Sequence, residues 1–394
     1  MSILDPIILN KNEEQELKKT IKEFLGLLKN KDIKFFVGGS YAKNTFLKGN
    51  LDIDVFARFA YKDKFLDISK ELGKFLRSRF KKVVKVHGSR DYYHVKYNDL
   101  VFEIVPVLNI RKSVKAENIM DVSPLHVKFV KRKSNKRIQK DIKLLKLFLK
   151  ANNLYGAESY IKGFSGYVCE LLVIYYGGFD NLIKEARKWD KKEVICFSRN
   201  EEKILVSMSK SKKHGPLIIV DPVQDDRNAA AAIGKRNYEK FVKLCKAYNG
   251  NKNFFIKKEV LLHKLKGYTI FQIKPLDGKR DIVGAKLLSL LERMKKEFVR
   301  YDFKVEDYGW KFEDEVYFWF KAEKLKRDKL HIGPSVKDKN HVIAFTKRWK
   351  KVSIKKGKVC TTLKRKYLTL KEYGGYLMKQ DWLKDSVKSI KIYK

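Results

Sequence analysis

The chain has 394 residues, and its 89 Lys+Arg against 46 Asp+Glu give a formal charge of +43 and a pI near 9.9. Hydrophobic residues make up 44% and aromatics 13%, far too much apolar surface for a disordered basic tail, so the charge belongs to folded domains. A field of that sign attracts polyanions, which makes RNA or DNA the leading partner, and the length suggests two or three domains.

From Asn12 to Lys29 the residues Leu17, Ile21, Phe24, Leu25 and Leu28 recur at helical spacing, with acids early and lysines late as the helix dipole prefers. A strand-length apolar run, Ile33–Val37, follows. It ends in Gly38-Gly39-Ser40, where the glycines let a backbone approach a ligand and Ser40 is expected to cap the next element, a place to hold phosphate. After a spacer comes Asp52-Ile53-Asp54 at the head of a strand over Asp52–Phe59. Alternation sends both aspartates to one face, with Ile53 and Val55 on the core side. Two carboxylates side by side repel unless a cation sits between them, and beside phosphates that cation is magnesium.

A second amphipathic helix is expected over 64–80, then short strands at Val83–Val86 and Tyr92–Tyr97. In the next strand, Leu100–Val107, a lone acid interrupts Phe102-Glu103-Ile104-Val105. Taken by itself Glu103 reads as the solvent side of an edge strand; beside Asp52 and Asp54 it becomes a third carboxylate for two metal ions. Asp121-Val122-Ser123-Pro124-Leu125-His126 reads as a connector with a prolyl turn. A helix from Asn135 puts Ile138, Ile142, Leu145, Phe148 and Leu149 on one side and lysines on the other, and Ser165 is placed to cap a buried helix reaching Tyr176. An Ile218–Val220 strand leads into Asp221-Pro222-Val223-Gln224-Asp225-Asp226-Arg227-Asn228 and a helix from about 235 to 248.

Beyond Asn249, strand-like runs at Tyr268–Ile273, Phe303–Glu306 and Val316–Phe320 flank a helix near 285–298, an α+β pattern with an open antiparallel sheet. Charge concentrates in two places. Lys347 to Lys358 holds seven Lys/Arg in twelve residues, and Lys128 to Arg137 six in ten. Phe345, Trp349 and Tyr367 interleave with the charge, and aromatics that stack while lysines track phosphates favour RNA contact. Lys131, Arg132, Lys347, Arg348, Lys350 and Lys351 are the candidate RNA-binding residues. Cys169, Cys196, Cys245 and Cys360 are too scattered for a zinc or disulfide framework. The segment Met1 to Pro6 has no signal-peptide character, and no apolar run approaches the roughly 18 residues of a membrane span, so a cytoplasmic location is expected and no membrane partner.

The text Gly-Ser-Tyr-Ala-Lys-Asn-Thr from Gly39, followed by Gly49 and Asp52-Ile53-Asp54-Val55-Phe56, resembles the signature of the polymerase-beta-like nucleotidyltransferases. In its fuller form it resembles the archaeal (class I) CCA-adding enzymes, the tRNA nucleotidyltransferases. The resemblance is clear from Gly38 to about Tyr248, fainter through Gly333-Pro334, and leaves a tail shorter than the family's. It implies an α+β protein with a polymerase-beta-like nucleotidyltransferase head of mixed sheet and helices over 1–133, a helical neck over 134–250, and an α+β body with a short basic tail over 251–394. It implies two Mg2+ ions on Asp52, Asp54 and Glu103, the last standing where the family usually has aspartate. Around the incoming CTP or ATP it sets Gly39, Ser40, Lys43, Ser123, His126, Lys146 and Tyr155, with Arg227 reading the base edge. The implied reaction is untemplated addition of C, C and A to the 3′ end of tRNA, gripped by its acceptor stem and T arm. Residue spacing leaves open a poly(A)- or U-adding enzyme, a catalytically silent RNA-binding protein, and the oligomeric state, a homodimer included.

Overall fold

The computed structural model describes residues 8–49, 52–257, 259–313 and 315–393; the opening residues read for a signal sequence lie outside them. The chain divides into two compact units, Met1–Lys258 and Glu259–Lys394, so the expected head and neck share the first.

Helix α1 (Lys11–Leu27) starts at a capping box in which Asn10 accepts from the Glu13 amide and Glu13 from the Asn10 amide. Strand β1 (Lys34–Val37) runs into the one-turn helix α2 (Gly39–Ala42), then β2 (Asp52–Phe59), α3 (Ile68–Arg79), β3 (Val83–Val86), β4 (Tyr92–Tyr97) and β5 (Leu100–Leu108). The strands form one mixed sheet in the order β1-β2-β5-β4-β3, with β2 and β5 parallel and the other neighbours antiparallel. Period-two alternation sorts β2 cleanly. Ile53, Val55 and Ala57 are fully buried in a core with α1 and α3, where Phe24 stacks on Phe102 with ring centres 3.7 Å apart. Asp52, Asp54, Phe56 and Arg58 take the opposite face. There Phe56, Val105 and Val107 form a smaller cluster, closed by Phe36, Tyr92, Met120 and Val127.

The rest of this unit is mainly helical: α4 (Ser123–Lys133), α5 (Lys136–Ala151), α6 (Gly166–Tyr176), α7 (Phe179–Ala186), β6 (Glu193–Ile195), α8 (Glu201–Ser207), β7 (Leu217–Asp221), β8 (Gln224–Asn228) and α9 (Lys235–Ala247). Its core gathers Ile142, Leu145, Phe148, Leu171, Leu172, Phe179 and Phe241, all fully buried. Asn135 and Ser165 cap α5 and α6 through the Ile138 and Val168 amides.

In the second unit β9 (Thr269–Lys274), α10 (Arg280–Arg300), β10 (Val305–Phe312) and β11 (Val316–Ala322) precede β12 (Asp328–Ser335), α11 (Lys339–Arg348), β13 (Ser353–Lys355), β14 (Lys358–Lys364), α12 (Leu370–Leu377), α13 (Asp381–Lys384) and β15 (Ser389–Ile392). An antiparallel sheet, β10-β11-β9-β15, packs on α10 and α12, and a smaller one runs β12-β14-β13. This is the α+β pattern expected from the strand alternation.

Four expectations change. Ser40 does not cap α2: Gly38 is the cap residue, with no side-chain hydrogen bond, and Ser40 lies inside the turn. The stretch from Ser123 is helix, not connector, because Pro124 falls in the first turn, where its missing N–H costs nothing. The helix expected from residue 64 begins at Ile68, after Asp67 caps it through the Lys70 amide. Phe345 does not stack outward. It is buried beneath Gly333, where a Cβ would meet its ring at 2.5 Å, and stacks on His331; Tyr367 likewise packs among Tyr301, Tyr373 and Tyr376.

Candidate active site

The turn from β1 into α2 is built against β2. The Gly38 amide donates to the Asp54 carbonyl over 2.8 Å, and a side chain at Gly38 would strike the Phe56 ring. Gly39 is held at φ +55°, and a Cβ there would fall 1.6 Å from Asp54 Oδ2. Only glycine satisfies both conditions.

The parallel pairing of β2 and β5 sets Asp54 beside Glu103, and Glu103 in turn faces His94 across β4, its Oε2 3.2 Å from His94 Nε2. Glu103 is therefore in the middle of the sheet, not on an edge, because β5 lies between β2 and β4. Asp52 is exposed, one step outward on the same face. Burial, and then the charge of Glu103, pushes the Asp54 carboxyl up to about 6 despite Lys43 nearby. Burial raises Glu103 too, against the hydrogen bond from His94. Half-buried carboxylates that repel each other are a hard-oxygen donor set, and they suit a divalent cation. Among the described residues no three His, Cys, Asp or Glu side chains already converge as a metal cage.

Two of the candidate nucleotide residues meet at a carboxylate not anticipated from sequence. Glu170, fully buried on α6, accepts from Lys43 Nζ over 2.7 Å and from the Thr45 hydroxyl over 2.6 Å. Lys146, only 3% exposed, donates to the Thr45 carbonyl over 2.8 Å and lies 3.6 Å from Glu170 Oε1. Spacing alone puts Lys146 on the lysine side of an amphipathic helix, whereas the side chain is buried where α5 meets the Thr45 loop. Burial pushes the Glu170 carboxyl up, but the Lys43 and Lys146 charges and the hydrogen bonds from Lys43 and Thr45 outweigh it and hold it below its ordinary value. One signal was available: Glu170 is a single acid in the apolar run Val168-Cys169-Glu170-Leu171-Leu172. Tyr155 adjoins this cluster, since a Cβ on Gly166 would lie 3.1 Å from its hydroxyl and 3.6 Å from Lys146 Nζ.

The second convergence is on Asp221, also fully buried, at the end of β7. Its Oδ2 lies 2.9 Å from His126 Nε2 and accepts from Arg227 Nη1 over 2.6 Å, while Oδ1 accepts from the Tyr167 hydroxyl and the Val223 amide, each over 3.1 Å. Burial would raise Asp221, but His126, the Val223 amide and Arg227 keep it below the usual carboxylate range. Ionised, it can only accept, so His126 Nε2 carries the shared proton. The Tyr167 ring joins the two clusters: its centre is 4.3 Å from that of His126, and Lys43 Nζ is 6.0 Å from it. Ser123 sits one turn before His126 on α4. Lys131 and Arg132 are exposed in the last turn of that helix, and Lys347, Arg348, Lys350 and Lys351 are exposed in the second unit.

A mixed sheet whose second strand carries paired aspartates behind a glycine turn defines the class. The nucleotidyltransferase domain model matches residues 16–147, and the model for the second domain of tRNA nucleotidyltransferases matches 140–256. A solved structure of Cid1 in complex with its short product ApU has the same fold at TM-score 0.50 and 13% identity, over 65% of this chain and 96% of that one. The chain is 36% identical over 305 residues to a CCA-adding enzyme of Nanoarchaeum equitans, covering 76% of each. It is 31% identical over 356 residues to a CCA-adding enzyme of Archaeoglobus fulgidus, covering 85% of this chain and 76% of the relative. The chain belongs to the CCA-adding enzyme family, nucleotidyltransferases that use nucleotide substrates and divalent metal. No helix among the described residues is long and apolar enough to cross a membrane.

Proposed function

We propose that this protein adds C, C and A to the 3′ end of tRNA from CTP and ATP, releasing one pyrophosphate per step, with the tRNA held by its acceptor stem and T arm. The observation that carries the reading is Asp54 set beside Glu103 with Gly39 packed against the Asp54 carboxylate, in a chain of this family. Asp52, Asp54 and Glu103 would hold two Mg2+ ions, which when bound activate the tRNA 3′-hydroxyl and neutralise charge on the nucleotide phosphates. The hydroxyl gives up its proton to solvent, its oxygen forms a bond to the α-phosphorus, the bond from that phosphorus to the pyrophosphate oxygen breaks, and no covalent enzyme intermediate is required. Gly39 and Ser40 present backbone to the phosphates, and Lys43 and Lys146, oriented by Glu170 and Thr45, counter the triphosphate charge. Ser123, His126 and Tyr155 flank the triphosphate and sugar, while Arg227, aimed by Asp221, reads the base; the rigid fork of an arginine suits that work.

On this reading residues 1–133 are the catalytic head, 134–250 the neck that shapes the nucleotide pocket, and 251–394 the body and tail. Head and neck have separate apolar cores, and Phe129 and Val130 at the end of the head already pack in the neck core. Lys131, Arg132, Lys347, Arg348, Lys350 and Lys351 contact tRNA phosphates, and tRNA as substrate puts the work in the cytoplasm.

The test is extension of a tRNA lacking its 3′ end, with Mg2+ and CTP, ATP or both, read as product length. Two additions with CTP and a third only with ATP present support the proposal. Long homopolymer tails favour a poly(A)- or U-adding enzyme, and tight binding without extension a silent RNA-binding protein. Asp54→Ala should abolish extension and leave tRNA binding within about twofold of wild type; equal extension by the variant overturns the carboxylate assignment.

A further inference from the structure

Across the antiparallel pair β1–β2, Lys34 stands directly opposite Arg58. Like charges at one rung repel, and a sheet keeps such a pair only where something compensates. No described residue does. Among the described residues neither side chain has a carboxylate within ion-pair distance, and the buried Arg58 Nε has no hydrogen-bond partner. The Asp121 carboxylate, which accepts from the Leu108 amide just past Val107, the neighbour of Arg58 on β5, is already engaged by Arg90 and by the Glu117 and Asn118 amides. The guanidinium is nevertheless held in place. Its carbon lies 4.8 Å from the centre of the Phe36 ring, which itself packs on Phe56. The Nε is closed to solvent, but Arg58 is only half-buried, and the outer nitrogens of this stacked, charged fork are open to an anion that the described residues do not supply.

Alternation puts Arg58 on the face of Asp52 and Asp54, four residues beyond Asp54 and so about 13 Å along the strand. That is too far to touch the phosphorus under attack. We infer that Lys34 and Arg58 bind a backbone phosphate of the RNA substrate upstream of its reacting 3′ end, so that the strand is held at a second point on the same sheet face. The inference rests on the proposed RNA-extending activity. The other source of phosphate is the nucleotide triphosphate, which Lys43 and Lys146 serve on that reading.

The experiment measures tRNA affinity across a salt series, and the KM for CTP at saturating tRNA, for wild type, Arg58→Met and Arg58→Lys. Methionine keeps an apolar stem on Phe36 while removing the guanidinium with its charge and N–H donors, and an unchanged Tm shows that the fold is kept. Loss of one phosphate contact should weaken tRNA binding about threefold to tenfold at low salt and flatten the slope of log K against log salt by about 0.7–0.9, with Arg58→Lys restoring the slope and the CTP KM unmoved. Unchanged affinity and slope in Arg58→Met overturn the inference. A raised CTP KM with unchanged tRNA slope overturns it as well, assigning the anion to the nucleotide. Failure of the activity reading would show separately, as a wild-type protein that does not extend tRNA.

Discussion

The α-carbon of Gly39 is pressed against the carboxylate of Asp54, so closely that a methyl group there would fall 1.6 Å from Oδ2. The phosphate-side turn and the acid-side strand are thus one packed object. Gly39→Ala must either push Asp54 away from Glu103 or unwind α2, and the positive φ adds about 1–2 kcal/mol of strain. Displacing a reacting group by about 1 Å costs on the order of 10²-fold in rate. We expect nucleotide addition to fall at least that far while tRNA affinity holds, a split visible in single-turnover extension beside a binding titration.

Asp221 is the common partner of His126, Tyr167 and Arg227. Asp221→Asn keeps the shape but removes the charge, and an amide nitrogen then faces a donor. Loss of hydrogen bonds to a charged group costs about 1.5–3 kcal/mol. Arg227 is partly exposed and recovers some of this from water, so the larger effect should be on aim. The KM for CTP and ATP should rise about tenfold, equivalent to about 1.4 kcal/mol, with discrimination between them reduced. Steady-state kinetics with each nucleotide checks this, and an unchanged CTP/ATP ratio counts against a base-reading role for Arg227.

Glu170 contributes stability that depends on pH. Its folded pKa is below the ordinary glutamate value of 4.5, so the unfolded chain binds this proton more tightly. The stabilisation is therefore complete above about pH 4.5 and is lost as pH falls through the folded value. Glu170→Gln leaves Lys43 and Lys146 buried without their counter-charge and should cost about 3 kcal/mol near pH 7. The difference in Tm between wild type and variant should be large at pH 7 and shrink steadily below pH 4.5; a constant difference would show that Glu170 contributes by packing alone.

Lys347, Arg348, Lys350 and Lys351 are exposed, so replacing all four by alanine should leave thermal stability nearly unchanged. If each meets a phosphate, the salt slope of tRNA binding falls by roughly 3–4. Extension at saturating tRNA should stay near wild type. A drop in kcat without a change in slope would move these residues out of the RNA-binding surface.

Local signals in the sequence carried a good deal. The i, i+2 alternation of Asp52, Ile53, Asp54 and Val55 determined which face of β2 bears acid and which is buried; apolar period marked the helix from Asn135, and capping chemistry the one after Ser165. The glycine turn followed by two aspartates is itself a local text, which is why the class of site was legible. Tertiary structure decided the rest, because it depends on contacts between residues far apart in the chain. Glu103 became the neighbour of Asp54 only when β5 inserted between β2 and β4. Lys43 and Lys146 acquired their orientation from Glu170, which is 127 residues from Lys43, and His126 from Asp221, 95 residues away. A buried charge needs a partner, but periodicity along one helix cannot say which. That choice was made by the packing of α2 and the Thr45 loop against α5 and α6, and of α4 against the end of β7.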